Sequence, residues 1–236
     1  MVLAADAGIS FSETVLAITE FLEAAIHTIL YLRQVYPPEV FVRRKKYDAP
    51  VYQSRHPGLN EYITGALKAV RDEMMLGHVD KVVVVIKDGN DVALERFIFS
   101  VKSMIEVPIH DRDEPIQGAM SPPQLGGYFR SFLVKLGMVE GTLKELQVDD
   151  GTSFAIVLEM AEEARPTAAH TGEPPPWMPA VLQHSSEGVG DDSKLHVVRA
   201  LNTGVIDLSL MVQESEAKLQ AARRKEKGKG RATDDD

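Results

Sequence analysis

Residues 10–36 read SFSETVLAITEFLEAAIHTILYLRQVY, and their periodicity decides the fold. Val15, Ile18, Leu22, Ile26 and Ile29 recur at steps of three and four, so on a helix they share one face. Phe11, Phe21, Ala25 and Leu32 widen that stripe on one side and Leu30 on the other, while Glu13, Glu20, Glu23, His27 and Gln34 gather opposite. Ser10 with Glu13 three residues on predicts a capping box. Pro37 and Pro38 are expected to end the helix, because proline lacks an amide donor and restricts the residue before it. At 1.5 Å per residue the helix would span roughly 40 Å, the width of a small domain. A stripe this wide requires a sheet or several helices to cover it. Glu20, Glu23 and His27 at its centre argue against a membrane span, so a core helix is expected.

Composition bounds what surrounds it. The chain has 236 residues, room for one large domain or two small ones. A net charge of −9 argues against nucleic-acid binding over the whole surface and leaves room only for a local basic patch. With no cysteine there are no disulfides, no thiolate chemistry and no cysteine metal ligands, which fits a reducing compartment. The N-terminus lacks the pattern of a secretory signal, and no membrane association is expected.

Working outward, Glu39–Arg43 reads as a short strand running into the basic stretch Arg43–Tyr47, with an irregular connection over Asp48–His56. Pro57 starts a second helix whose apolar face is Leu59, Ile63, Ala66, Leu67, Val70 and Met74. Val79–Lys87 holds five consecutive β-branched residues, the pattern of a central strand covered on both faces. Asp88–Asp91 is a turn and Val92–Val101 the returning strand, which makes a β-hairpin and hence an antiparallel sheet. Ser103–Ala119 is irregular. Ser121, Pro122 and Gln124 then open a third helix with Leu125, Phe129, Phe132, Leu133, Leu136 and Leu143 on one stripe. Thr152–Met160 alternates as a strand, with Phe154, Ile156, Leu158 and Met160 on one side. Glu162–Asp192 is a proline-rich loop of a length that signals function or disorder, and it holds Trp177. His196–Leu201 and Val205–Val212 form a late hairpin. Residues 215–236 are charged and basic around Arg223–Arg231, and are expected to be a frayed helix or, more so, a disordered tail. The class is α+β: one mainly antiparallel sheet with three helices on one face.

Four stretches carry a resemblance: Glu20–Glu23 with Ile29–Pro37; Arg44–Tyr47 with Pro50-Val51; His56-Pro57 with Leu59–Ile63; and Val79–Ile86. Phe129–Lys135 and Pro176-Trp177 extend it. Together they resemble the HORMA domain over roughly residues 11–214, and within that family the branch that serves translesion DNA polymerase zeta as a non-catalytic accessory subunit. The resemblance implies a domain over residues 10–214 whose C-terminal part, about 162–214, is a mobile safety belt closing over a partner peptide held at a sheet edge. It implies a proline-containing peptide from the polymerase zeta catalytic subunit, bound by Tyr62, Trp177 and Tyr36. It implies a second surface for a scaffold translesion polymerase around Leu208, Ser209, Leu210 and Met211, where the polar and aromatic pair of animal relatives is missing. Arg130 matches the arginine at which such domains form homo- or heterodimers. A remodelling AAA+ ATPase, a nuclear (and also cytoplasmic) location, roles in DNA-damage tolerance, and no cofactor are implied as well.

The residues also admit plainer readings. Tyr62 fits the boundary of the second helix, and Trp177 could simply pin its loop. Arg43–Lys46 suits a solvated strand edge, and the basic tail a nuclear-import or nucleic-acid patch. His110, Asp111 and Asp113 are the one enzyme-like cluster, able in principle to hold a metal, yet neighbours in a loop rarely converge. No phosphate-binding glycine loop, zinc-protease helix or serine-nucleophile motif is present. The rivals to an adaptor are therefore a spindle-checkpoint or meiotic protein of the same family, a small metal-dependent enzyme, and direct nucleic-acid binding.

Overall fold

In the computed structural model the described residues are 8–103, 105–162, 164–167, 177–185 and 193–232. The first helix, α1, spans Phe11–Leu32. Its capping box forms as expected: the Glu13 amide donates to Ser10 Oγ at 3.1 Å, and the Ser10 amide donates to Glu13 Oε2 at 2.9 Å. It stops before the prolines. Gln34 takes φ 53, its amide donates to the Tyr31 carbonyl, and the Val35 amide reaches back to the Leu30 carbonyl. That left-handed close satisfies the last carbonyls and folds Val35, 5% exposed, onto Leu30.

The stripe of α1 is buried as its spacing predicts; of the face opposite, Glu13 and Glu20 stay exposed, but the part around His27 is covered too. His27 is only 2% exposed, and Thr14, Thr19 and Thr28 are buried. Each threonine hydroxyl donates to the carbonyl four residues back, which satisfies it inside the core. The cover is a hairpin that the sequence pattern hides. Strand β1, Phe41–Lys46, pairs antiparallel with β2, Ala49–Ser54, as a separate two-stranded sheet. The basic run thus lies within β1, and residues 49–54 are strand rather than irregular. Residues 38–40 form a single 3-10 turn instead of a strand start. Tyr47 and Asp48 make the turn with φ 50 and 57, without the glycine that usually marks such a turn. The β2 amides of Tyr52 and Ser54 donate to Thr28 Oγ1 and His27 Nδ1 on α1, and Tyr52 stacks on Tyr31 with ring centroids 3.5 Å apart.

Helix α2, Pro57–Met75, is capped by His56, whose Nδ1 accepts from the Leu59 amide. Strands β3 (Val79–Lys87) and β4 (Ala93–Ser103) form the central hairpin. Helix α3 spans Pro122–Val139, with the Ser121 amide donating to Gln124 Oε1. Leu143, expected on its stripe, lies past its end but is still buried. Strand β5 is Ser153–Met160, and β6 (Lys194–Asn202) and β7 (Ile206–Glu214) form the last hairpin. The large sheet runs β5-β3-β4-β7-β6, all neighbours antiparallel. β3 is an interior strand, and Val82 through Ile86 are fully buried, each side chain contributing about 1.5–3 kcal/mol by leaving water. α1, α2 and α3 cover one face. There Phe21 of α1 stacks on Phe129 of α3 at 4.7 Å and meets Phe99 of β4 edge-on at 6.1 Å. Val83, Val85, Ile98 and Val157 form a smaller cluster on the other face. The edge strand β6 shifts register between Val197 and Arg199.

Of the two expectations for the tail, the helix is the one that forms: Glu216–Ala232 is α4. Lys218 on its first turn is buried, and its Nζ lies 2.5 Å from Glu95 Oε1 and 2.6 Å from Glu214 Oε1. Arg33 donates twice to Glu95, at 2.9 and 2.7 Å, and once to the Lys144 carbonyl. Glu214 also accepts from the Lys144 amide and lies 3.0 Å from His196 Nε2. Burial alone would raise the Glu214 carboxyl; the hydrogen bonds from Lys218, His196 and the Lys144 amide outweigh it and hold the group below the usual range.

Burial lowers His27 from an ordinary 6.5 to about 4. The unfolded chain takes up that proton first, so its contribution is intact above pH 6.5 and is lost as pH falls towards about 4. From this residue alone, stability should fall by up to about 1.4 kcal/mol per pH unit in that window. Urea midpoints of His27→Asn, which keeps an acceptor where Nδ1 sits, should lack this component. Identical pH slopes in the two proteins would sink the assignment.

Candidate functional site

Strand β5 lies at an edge of the large sheet. It pairs with β3 on one side, and among the described residues nothing pairs with its other side. An open strand edge presents a row of unpaired amides and carbonyls, a template for another extended chain. Two hollows flank it. The first, ≈ 400 Å³, is lined by Tyr36, Val40, His56, Gly58, Leu59, Tyr62 and Phe154. Phe154 of β5 forms its floor, with the Tyr36 and Tyr62 rings meeting it edge-on at 6.2 and 5.5 Å. Tyr62 is 47% exposed, so it spends half its surface on solvent while its ring is held by Phe154. The second hollow, ≈ 420 Å³, lies by the other end of β5 and is lined by Asp80, Lys81, Glu159, Met160, Ala180, Val181, Leu182 and Ser185. At about 3.3 Å per residue, Phe154 and Met160 are about 20 Å apart, the reach of a six- or seven-residue extended peptide.

The connection after β5 is tied at separate places. The Thr167 amide donates to Glu73 Oε1 near the end of α2, at 2.6 Å, and His78 lies against the other oxygen of the same carboxylate at 3.0 Å. Around the 3-10 turn Leu182–His184, the Gln183 carbonyl accepts from Arg96 of β4, and His184 Nε2 lies 2.8 Å from the Asp91 carbonyl in the β3–β4 turn. Between and beside these ties, Met178, Val181 and Leu182 are 87, 52 and 69% exposed. Apolar side chains bared beside an open strand edge make this a candidate binding surface.

The residues singled out from sequence divide accordingly. Tyr36 and Tyr62 come together. Trp177 does not line their hollow; it packs partly buried against the main core, and its indole N–H has no partner among the described residues. Pro174–Pro176 lie outside the described residues. In β7, Leu208 and Leu210 are 1 and 0% exposed and point into the core, so they cannot form a partner surface; Ser209 and Met211, half-buried on the opposite face, remain available. The alternation of a half-buried strand requires this split. Arg130 is exposed on α3. It stands near the β1–β2 turn, where first Lys45 and then Arg130 hold the Asp48 carboxyl below its usual range. His110 and Asp111 are exposed with 3.4 Å between Nε2 and Oδ2, and among the described residues no three His, Asp or Glu side chains gather to hold a metal. Phe154 is what sequence reasoning missed: its alternation was visible, but not that it lies under two tyrosines.

The model of the HORMA domain matches residues 14–118. The "mitotic spindle assembly checkpoint protein MAD2B" of Bos taurus is 30% identical over 197 residues, 83% of this chain and 88% of that protein. The chain belongs to the HORMA family. The "DNA polymerase zeta processivity subunit" of Schizosaccharomyces pombe is 37% identical over 103 residues, 44% of this chain and 48% of that one. Among solved structures, C. elegans HTP-1 bound to a HIM-3 closure motif shares the fold with a TM-score of 0.65 at 14% identity, covering 88% of this chain and 92% of that one. The chain therefore resembles the accessory subunits of polymerase zeta within a HORMA fold, as its sequence suggested.

Burial raises the Tyr36 phenol above its ordinary value, and the Tyr62 phenol beside it adds to the rise. Tyr62→Phe should therefore move the Tyr36 titration back towards 10, read by ultraviolet or NMR titration, without ligand. A Tyr36 titration left unmoved would separate the two rings.

Proposed function

We propose that this chain is a non-catalytic HORMA adaptor that captures an extended, proline-containing peptide along β5, under the connection between β5 and β6. The carrying observation is the open β5 edge with a hollow at each end and bared apolar side chains beside it. Strand addition would supply affinity and the hollows specificity. Aromatic walls such as Tyr36, Tyr62 and Phe154 suit proline rings, which have little conformational freedom left to lose. Trp177 belongs to this site in our reading as a prop for the connection and a peptide contact.

The polymerase zeta relatives support a polymerase partner; in our reading the peptide comes from its catalytic subunit, and the setting is DNA-damage tolerance in the nucleus. The outward residues Ser209 and Met211 are our candidate contact for a scaffold translesion polymerase, and exposed Arg130 for pairing with a second HORMA domain. A remodelling ATPase of the AAA+ class would reopen the belt. A second reading, a spindle-checkpoint role, is favoured by the name of the bovine relative.

Tyr62→Ala and Trp177→Ala should each weaken peptide binding by about 2 kcal/mol or more, the scale of an aromatic hot spot. Calorimetry with the polymerase-derived segment checks the affinities. Capture from nuclear extract, wild type against the double variant, checks the partner. Recovery of the polymerase zeta catalytic subunit by the wild type alone would support both the adaptor and the pocket. Equal recovery by both proteins would leave the aromatic residues structural. Recovery of checkpoint proteins instead would favour the second reading.

A further inference from the structure

Glu95 of β4 and Glu214 of β7 are direct cross-strand partners. Docking the last hairpin onto β4 thus sets two carboxylates side by side, 0 and 1% exposed at their side chains. Like charges opposite one another in a sheet oppose pairing, and the opposition grows when water is removed. Arg33 offsets only Glu95, gripping it and then the Lys144 carbonyl, while Glu214 has the Lys144 amide and the His196 ring, which carries charge only when protonated. The cation between the two carboxylates is Lys218, 3% exposed, and it arrives from α4, beyond the hairpin in the chain. Its position four residues after Glu214 lets one helical turn carry the ammonium back across the strand end. The Ser215 amide donates to the Leu94 carbonyl and the Lys218 amide to Ser215 Oγ, so the start of that turn is fixed on β4 as well.

We propose that Lys218 is a clasp: β7 stays paired with β4 only while α4 is folded and places this ammonium between Glu95 and Glu214. The β6–β7 hairpin and the first turn of α4 are then one cooperative unit, while β3 and β5, on the far side of β4, are held independently of it. Lys218 is a positioning residue for the hairpin and touches neither hollow at β5. The inference concerns the docking of the hairpin alone and stands apart from peptide capture, since no ligand enters its test.

The test is backbone hydrogen exchange on the full-length chain, read by mass spectrometry. In Lys218→Met, amides of Ile206–Glu214 should exchange at least about tenfold faster, with β3 and β5 unchanged. Adding Glu214→Gln to that variant removes the surplus carboxylate and leaves Arg33 paired with Glu95. Protection of β7 should then return, although the lysine is still missing. Unchanged exchange in Lys218→Met, an equal rise in every strand, or no recovery in the double variant would each overturn the proposal. The wild-type protein in mild urea gives an answer that needs no variant. There α4 and β7 should open together and ahead of β3, and an α4 that frays while β7 stays protected would overturn the clasp.

Discussion

Helix α1 is covered on more than its apolar stripe, leaving only a strip with Glu13, Leu16 and Glu20 to solvent, and the rest of the fold follows from that constraint. A helix apolar on one stripe needs one covering layer, and the large sheet with α2 and α3 provides it. A helix buried on its polar side also needs a second layer that can answer its hydrogen bonds. The β1–β2 hairpin does so, turning two strand amides onto Thr28 and His27. The arrangement is demanding, because a buried neutral imidazole that must accept a hydrogen bond tolerates neither protonation nor a purely apolar neighbour. It also fixes where the chain leaves α1. The left-handed turn at Gln34 sends Tyr36 to the side of Phe154, so the end of the core helix furnishes one wall of the candidate site.

The sheet divides its labour between its two sides. The β5 side leaves backbone and aromatic rings open, for an extended chain in the function we propose, while the β7 side is sealed by ion pairs that have left water. These are different currencies of attachment. Strand addition depends on main-chain geometry and accepts varied sequences, whereas the carboxylates of Glu95 and Glu214 admit little but a cation between them. Buried pairs of this kind add little net stability compared with apolar packing, but breaking one is costly. They suit a junction that must be made in one way.

Much of this was legible in the sequence. The five β-branched residues Val82–Ile86 read directly as an interior strand, and Ser10 with Glu13 as a cap, because both signals are local. The order of helices and strands, together with the particular residues of four stretches, suggested the family. What escaped depended on partners distant in sequence. The β1–β2 hairpin was hidden by a turn of Tyr47 and Asp48 and by Pro50 in a strand. His27 looked polar-faced because nothing nearby announces that β2 covers it. Arg33, Glu95, Glu214 and Lys218 carry no spacing that would join them, except the four-residue step between the last two. In the candidate site, Tyr36 and Tyr62 came from the family likeness. Only the fold brings Phe154 beneath them, and only the alternation of β7 separates Ser209 and Met211 from Leu208 and Leu210.

The register shift in β6 between Val197 and Arg199 has a consequence for self-association. Leu195 and Val197 are exposed on that edge strand, which would otherwise be a sticky template. A fibre built by strand addition needs two matching edges on each copy, one to accept and one to donate. Here one edge is kinked by a bulge, so its amides do not line up with a straight neighbour, and the other is the edge that a ligand would fill. Stacking of copies would stop after one step. The molecule can thus keep a strand edge open for a partner without seeding its own polymer.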